Sequence, residues 1–140
     1  MPAAPAYSKP VPVPDPDSRP FWEGCRQGRL LIQRCRACGQ HQFPPGNVCS
    51  SCRSDQIEWT QTSGRGTVFS WIVVVHPVPK PVYEKDVPYV VALVDLEEGV
   101  RMPTNIVGCD GDRIVAGMPV KVFFDRVDDD VVLPRFRPDD

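Results

Sequence analysis

Residues 35–52 read CRACGQHQFPPGNVCSSC and contain four of the six cysteines of this 140-residue chain. They form two C-x-x-C pairs, Cys35 with Cys38 and Cys49 with Cys52, which are separated by ten residues. A C-x-x-C turn presents two sulfurs on one side of a tight loop, and two such turns complete the tetrahedral coordination that Zn²⁺ prefers. We therefore predict a structural zinc ribbon in which these four cysteines bind one Zn²⁺.

The same thiols have two alternative uses, namely two disulfides or a rubredoxin-type iron site that would make the chain a small electron carrier. Disulfides persist in oxidising compartments. The N-terminal sequence MPAAPAYSKPVPVPDPD lacks the basic and apolar regions of a signal peptide, and no apolar run approaches the roughly 18 residues that span a bilayer. We therefore predict a cytoplasmic protein without a membrane partner, whose thiols bind metal. Iron stays open as an alternative to zinc.

The residues that follow the two cysteine pairs differ. Gly39 follows the first pair and allows the chain to leave that turn with a positive φ. Arg53 has the same place after the second pair, so we predict that the second turn closes in a different way. His41 lies between the pairs, and we expect it to face solvent because four sulfurs already complete the coordination.

The segments on either side of the cysteine pairs predict a small N-terminal unit. Residues 29–33 (RLLIQ) and 56–60 (QIEWT) are strand candidates that lead into and out of the thiol turns. Before them, Ser18 can cap a helix over residues 19–27, with Pro20 in its first turn and Gly28 as its stop. Residues 1–18 contain six prolines and predict an extended tail. We therefore divide the chain into a tail (1–18), a helix with the ribbon (19–63) and a second unit (64–140).

The second unit is predicted to be an OB-fold. Gly64 and Gly66 mark a bend, after which five segments rich in β-branched and aromatic residues predict strands at 67–75, 89–96, 101–107, 120–124 and 131–136. Residues 112–116 can form one helical turn between the third and fourth strands, and residues 128–130 a hairpin turn. This order matches the five-stranded OB barrel, whereas a sandwich of five strands would leave two unprotected edges. The predicted fold class is mainly β.

The distribution of charge bears on the type of partner. The net charge is −2, but residues 19–65 carry seven Lys/Arg against three Asp/Glu, and residues 66–140 carry eight against thirteen. A zinc ribbon followed by an OB-fold suggests nucleic-acid binding. Phosphate contacts supply most of the non-specific affinity for nucleic acid, and the barrel half is net acidic. We therefore retain nucleic-acid binding only as the alternative function.

No catalytic residues are predicted. A nucleophilic cysteine needs a nearby base or a helix N-terminus, but Cys25 lies late in its helix and Cys109 lies in the acidic loop GCDGD. His76 has no evident serine or carboxylate partner in the sequence. Gly64 and Gly66 lack the third glycine and the helix of a dinucleotide-binding motif. We interpret both extra cysteines and His76 as incidental to function.

The order of the motifs resembles that of one family. The chain shows a helix with Phe21-Trp22, then GRLLIQRCRACGQHQFPPGNVCSSC (28–52), SGRGTVFSW (63–71), PYVVALVDLEEGVRM (88–102), GMPVKV (117–122) and LPRF (133–136). From about residue 18 to 136 it is similar to the zinc-ribbon plus OB-fold proteins long labelled a domain of unknown function and associated with acyl-CoA metabolism. One difference is Gly46, because the family usually has an arginine after the paired prolines.

This resemblance implies a role as an accessory subunit. Proteins of the family are generally non-catalytic small subunits of thiolase-superfamily enzymes, including acyltransferases, synthases and lipid-transfer-protein-like aldolases. They stabilise the catalytic chain, and in some complexes they help to form the acyl-CoA channel. We accordingly predict a hetero-oligomer with a thiolase-superfamily chain and acyl-CoA at a shared site, without assigning acyl-CoA-binding residues. The partner-contact candidates are Phe21 and Trp22 in the helix and Pro77, Pro79 and Pro81, which pre-order the loop at 76–88.

Overall fold

A computed structural model of the protein describes residues 9–139. The first eight residues of the predicted tail, and Asp140, lie outside the described residues. The elements in chain order are α1 (Arg19–Arg26), β1 (Leu31–Cys35), β2 (His41–Gln42), β3 (Ile57–Gln61), β4 (Arg65–Val74), α2 (Lys80–Tyr83), β5 (Tyr89–Leu96), β6 (Arg101–Ile106), a 3₁₀ turn (Gly111–Arg113), β7 (Pro119–Arg126) and β8 (Val132–Pro138). Among these residues, no helix is long and apolar enough to cross a membrane.

The N-terminal unit is a three-stranded antiparallel sheet with the order β2-β1-β3. β1 is central because Gln33 pairs with Gln42 of β2 on one side and with Trp59 of β3 on the other. The two predicted strands are present, each beginning and ending slightly later than expected. Sequence analysis missed β2, which has two residues and therefore shows no periodicity.

The second unit is a closed barrel with the strand order β4-β5-β6-β8-β7. Its pairings are antiparallel except for β6 with β8, which run parallel and share the single register pair Ile106 with Phe136. This is the predicted five-stranded OB-fold, and closure of the barrel rules out the sandwich. The helical turn expected at 112–116 is a 3₁₀ turn at Gly111–Arg113. Helix α2 lies in the 76–88 segment, where none was predicted.

The start of α1 differs from the sequence prediction in one respect. Ser18 stands at the N-cap position, but its hydroxyl makes no hydrogen bond to the helix. It accepts instead from the backbone N–H of Asp15, at 3.1 Å, while the Asp15 carboxylate accepts from the Ser18 N–H at 2.7 Å. The predicted side-chain cap is therefore wrong, because a local turn within the preceding segment uses the hydroxyl. The predicted stop is confirmed, since Gly28 follows α1 with φ +74°.

Helix α1 connects the ribbon sheet to the barrel. It packs against β1 of the ribbon and against β7 and β8 of the barrel. Phe21 is 4% exposed and Cys25 1%, and both belong to a core cluster that also contains Ile32 of the ribbon and Phe136 of the barrel. The helix face that contains Phe21 and Cys25 is therefore covered by the chain itself. One hydrophobic core spans both units.

Candidate functional site

The four cysteines of the two C-x-x-C pairs come together at one end of the ribbon sheet. Their sulfurs all lie within 4.8 Å of one another, with Cys35 3.6 Å from Cys52 and Cys38 3.6 Å from Cys49. Four sulfurs placed about 2.3 Å from a central Zn²⁺ would lie about 3.8 Å apart in a regular tetrahedron. The separations are well beyond the roughly 2.05 Å of a disulfide bond. The sulfurs are therefore positioned to bind one metal ion.

The two cysteine turns have the same backbone geometry. Gly39 N–H donates to the Cys35 carbonyl at 2.8 Å, and Arg53 N–H donates to the Cys49 carbonyl at 2.9 Å. Both donors lie in the left-handed region, Gly39 with φ +80° and Arg53 with φ +64°. The prediction that the second turn closes differently is therefore wrong. Arg53 adopts the conformation that glycine provides in the first turn.

Backbone N–H groups within these turns point at two of the sulfurs. Cys38 N–H lies 3.5 Å from the Cys35 sulfur, and the N–H groups of Ser51 and Cys52 lie 3.3 and 3.5 Å from the Cys49 sulfur. The N–H of Cys38 lowers the pKa of Cys35. Those of Cys52 and Ser51 lower the pKa of Cys49 to about 6. The turns thus favour the thiolate, the form that binds metal, at Cys35 and Cys49, whereas the neighbouring thiols and desolvation raise the pKa of Cys38 and Cys52. The all-sulfur donor set fits a structural zinc site.

A buried amide pair supports the loop that joins the two turns. Gln42 Nε2 donates to Gln33 Oε1 at 2.7 Å, and Gln42 Oε1 accepts from the Ser50 N–H at 2.8 Å beside the second cysteine pair. Gln33 bonds the backbone of Gly46 in both directions, accepting from its N–H at 2.9 Å and donating to its carbonyl at 2.8 Å. Sequence analysis missed this network, because two glutamines nine residues apart carry no metal or catalytic pattern.

Gly46, the position at which the chain differs from the usual family pattern, is bound only through its backbone in this network. A Cβ at Gly46 would meet its nearest neighbour, the Val48 carbonyl oxygen, at 3.8 Å, an ordinary contact. The loop geometry therefore does not require glycine there.

The remaining titratable candidates do not form a catalytic set. Burial raises the pKa of the Cys25 thiol to about 12, so this cysteine is a protonated core residue. Cys109 is half-buried, His41 is half-exposed, and His76 is exposed. Among the described residues, no serine, cysteine or threonine forms a hydrogen-bonded chain with a histidine and a carboxylate.

The predicted partner-contact residues occupy two separate regions. Phe21 lies in the chain's own core, and half-buried Trp22 packs edge-on against it with ring centroids 4.9 Å apart. Pro77 is half-buried, and Pro79 and Pro81 are exposed beside α2. Of the two aromatic residues, Trp22 therefore keeps surface that a partner could contact.

A cleft of about 620 Å³ lies beside the 76–88 segment. It is lined by Tyr83 and Tyr89, whose ring centroids lie 6.1 Å apart, and by Asn105 and Arg135 of the barrel. Arg135 donates to Asn105 Oδ1 at 2.7 Å and to Asp125 Oδ2 at 2.8 Å. This cleft was not predicted, because its walls come from six separate segments of the chain.

Comparison with known proteins agrees with this geometry. A family model described as the rubredoxin-like zinc ribbon domain of ChsH2 matches residues 22–58, and one described as the C-terminal OB-fold domain of ChsH2 matches residues 59–125. A DUF35 domain-containing scaffold protein of Methanocaldococcus jannaschii is 38% identical over 111 residues, which cover 78% of this chain and 77% of that protein.

Two longer relatives carry hydratase names. A probable enoyl-CoA hydratase alpha subunit of Thermomonospora curvata is 43% identical over 96% of this chain. A 3-oxo-4,17-pregnadiene-20-carboxyl-CoA hydratase alpha subunit of Mycobacterium tuberculosis is 44% identical over 77% of it. The matches cover 41% and 33% of these two proteins, so the chain spans less than half of their length.

Solved structures with the same fold include a chain of an Ltp2-ChsH2(DUF35) aldolase. That chain is 43% identical and superimposes with a TM-score of 0.82, over 91% of this chain and 98% of its own length. A DUF35 protein of unknown function from Sulfolobus solfataricus, 17% identical, shares the fold with a TM-score of 0.61 over 89% of this chain and 86% of its own length. With its zinc ribbon followed by an OB-fold, the chain belongs to the ChsH2-type DUF35 family.

Proposed function

We propose that the chain is a non-catalytic, zinc-stabilised accessory subunit of a thiolase-like acyltransferase or aldolase complex. In this role it stabilises the catalytic chain and contributes to acyl-CoA binding. The observation that carries the proposal is the match to nearly the full length of one chain of the Ltp2-ChsH2(DUF35) aldolase. The scaffold-protein name of the archaeal relative points in the same direction.

The chemistry of the chain supports a non-catalytic role. The buried Cys25 thiol is held protonated, and the four ribbon thiols are positioned to bind the metal. A four-sulfur site leaves zinc no open position for water or substrate, so the metal serves folding rather than catalysis. The catalytic groups of the complex are accordingly assigned to the partner chain.

We do not assign to this chain the hydratase activity for which two relatives are named. The match covers less than half of each of those subunits, and the rest of each subunit lies outside the match. We assign the accessory role to the shared part alone. We further propose that Trp22, Pro79 and Pro81 belong to the contact surface and that the complex is cytoplasmic, where the ribbon thiols stay reduced.

Co-expression with a thiolase-superfamily chain tests the accessory role. The two chains should elute as one heteromer in size-exclusion chromatography with light scattering. Acyl-CoA cleavage or acyl transfer should require the complex, and the isolated small chain should show neither activity. Cys25→Ala and Cys109→Ala serve as matched controls, because the complex should keep its activity when the thiols outside the metal site are removed.

Two results would contradict the accessory role. The first is turnover by the isolated chain that one of these cysteine substitutions abolishes. The second is an enzyme chain that is equally stable and active without this subunit. For the acyl-CoA contribution, calorimetry should show tighter CoA binding by the complex than by the enzyme chain alone.

A further inference from the structure

The outer face of β4, β5 and β6 is an apolar surface that residues 9–139 leave uncovered. Strand register aligns Ser70, Leu93 and Pro103 in one row across the three strands. The next row contains Ile72 and Val91 and ends at Asn105. The alternate residues of β5, including Val90 and Val94, point into the barrel and are buried. We call Phe69, Ile72, Val91, Leu93 and Pro103 the outer sheet face.

Several of these side chains are unusually exposed for their type. Ile72 is 62% exposed, Phe69 43% and Leu93 36%. Phe69 follows the buried Val68 and is exposed, and the register shift between Val68 and Ser70 leaves it unpaired as the additional residue of a β-bulge, so that Ser70 is exposed as well. Single exposed apolar side chains are common on soluble proteins, but a contiguous group on three neighbouring strands indicates an interaction surface.

The charges around this face are already paired. Arg101 binds the Asp95 carboxylate with Nε at 2.6 Å and Nη2 at 3.2 Å, and its guanidinium carbon lies 3.4 Å from the centre of the Phe69 ring. At the start of β4, Arg65 Nε lies 3.5 Å from the carboxylate of Asp139. The two arginines at the rim are thus neutralised by carboxylates.

This charge pattern selects among possible occupants. OB-folds bind oligonucleotides on the face of strands two and three, which here are β5 and β6. Phosphate contacts by Lys and Arg supply most of the affinity for nucleic acid, and the two arginines at the rim of this face already contact carboxylates. The barrel is closed, so a partner strand has no edge to extend. The face therefore fits the apolar surface of another protein, which would dock through side chains.

We propose that the outer sheet face is the docking surface for the catalytic chain of the complex. This inference rests on the proposed function and adds to it a second contact surface, besides the one that contains Trp22, Pro79 and Pro81. Phe69, held by the Arg101 guanidinium, combines the aromatic and arginine groups that dominate binding energy at protein interfaces. Ile72 and Leu93 provide the apolar area around it.

The test uses the double variant Ile72→Asp/Leu93→Asp in the full chain, with the thiolase-superfamily chain of the co-expression experiment as the probe. Both positions are exposed, so bound zinc and melting temperature should stay close to wild type. The Kd for the enzyme chain should rise roughly 100-fold or more, because two carboxylates would be buried in an apolar contact. Ile72→Thr/Leu93→Thr retains strand propensity and should raise the Kd by about tenfold.

Val115→Asp is the matched control, since Val115 is 58% exposed and lies outside the three strands. Its Kd should stay within about threefold of wild type. Wild-type affinity in the double aspartate variant would overturn the docking surface and leave the accessory role intact, because the heteromer would still form. Wild-type self-association that the aspartates abolish, with unchanged heteromer affinity, would assign the face to a second copy instead. Failure of the wild type to form any heteromer would overturn both proposals.

Discussion

Arg135 of β8 donates to Asn105 of β6 across the parallel pairing of the barrel, with Nη1 2.7 Å from Oδ1. The two strands share a single register pair, so this side-chain bond reinforces the seam at which the barrel closes. Asn105 is itself fixed by donating to the Val90 carbonyl at 2.9 Å. The seam thus adds a side-chain link to its few backbone bonds, one of which runs from the Val107 N–H to the Phe136 carbonyl at 2.9 Å.

We expect Arg135→Ala and Asn105→Ala each to lower the free energy of unfolding by about 1.5–3 kcal/mol, because each leaves a partly buried partner without its charge-assisted bond. Urea unfolding of both single variants and the double variant gives the coupling energy. Arg26→Ala, which removes a solvent-exposed ion pair to Glu23, is the control and should cost at most about 1 kcal/mol. Additive effects of the two seam substitutions would show that the bond does not stabilise the seam.

The metal site predicts one Zn²⁺ per chain and no visible absorption. Cys38→Ser removes one of the four ligands and should give insoluble protein, because structural zinc can supply roughly 10–16 kcal/mol to a small ribbon. Cys109→Ser keeps all four ligands and should retain full zinc by elemental analysis. Iron with thiolate absorption would identify an electron carrier instead, and an intact mass that shows two disulfides would exclude a metal site.

Gly39 and Arg53 have the same left-handed backbone conformation, so replacing Arg53 by glycine and Gly39 by alanine should change the free energy of unfolding in opposite directions. Arg53→Gly removes a side chain from a left-handed conformation and should raise the free energy of unfolding by about 0.5–1 kcal/mol, after the extra entropy of the unfolded chain is subtracted. Gly39→Ala introduces that penalty and should lower it by about 1 kcal/mol. Both values come from chemical unfolding of the zinc-loaded protein. A destabilised Arg53→Gly variant would mean that the arginine side chain has a stabilising contact.

Removing one member of the buried Gln33–Gln42 pair should lower the free energy of unfolding, although neither side chain binds the metal. Gln42→Ala leaves the Ser50 N–H without its partner and removes one of the two hydrogen bonds that Gln33 Oε1 accepts. It should cost about 2–3 kcal/mol, with weaker zinc retention against a chelator. Gln40→Ala is the control, because the Gln40 side chain is exposed and only its carbonyl accepts a bond, from the Cys35 N–H. Equal zinc loss in both variants would contradict a specific role for the buried pair.

Sequence reasoning succeeded where the determining pattern is local. The cysteine spacing specified the metal cluster, and alternation in segments such as 89–96 specified the barrel strands. It failed where geometry depends on distant residues or on one unusual backbone angle. Nothing local indicated that Arg53 would adopt a glycine-like φ, or that Gln33 and Gln42 would meet in a buried pair. Simple alternation also does not show the bulge at Phe69, which places the following Ser70 on the outer face.

The packing of α1 against β7 and β8 has a consequence for synthesis of the chain. A domain is made from its N-terminus onwards, and α1 leaves the ribosome long before its two barrel neighbours. Phe21 can meet Ile32 of the ribbon early, but its burial against the barrel must wait until the last described strand has been made. During that interval a nascent chain with a complete zinc ribbon still exposes the apolar surface around Phe21. The unfinished chain is therefore expected to bind chaperones.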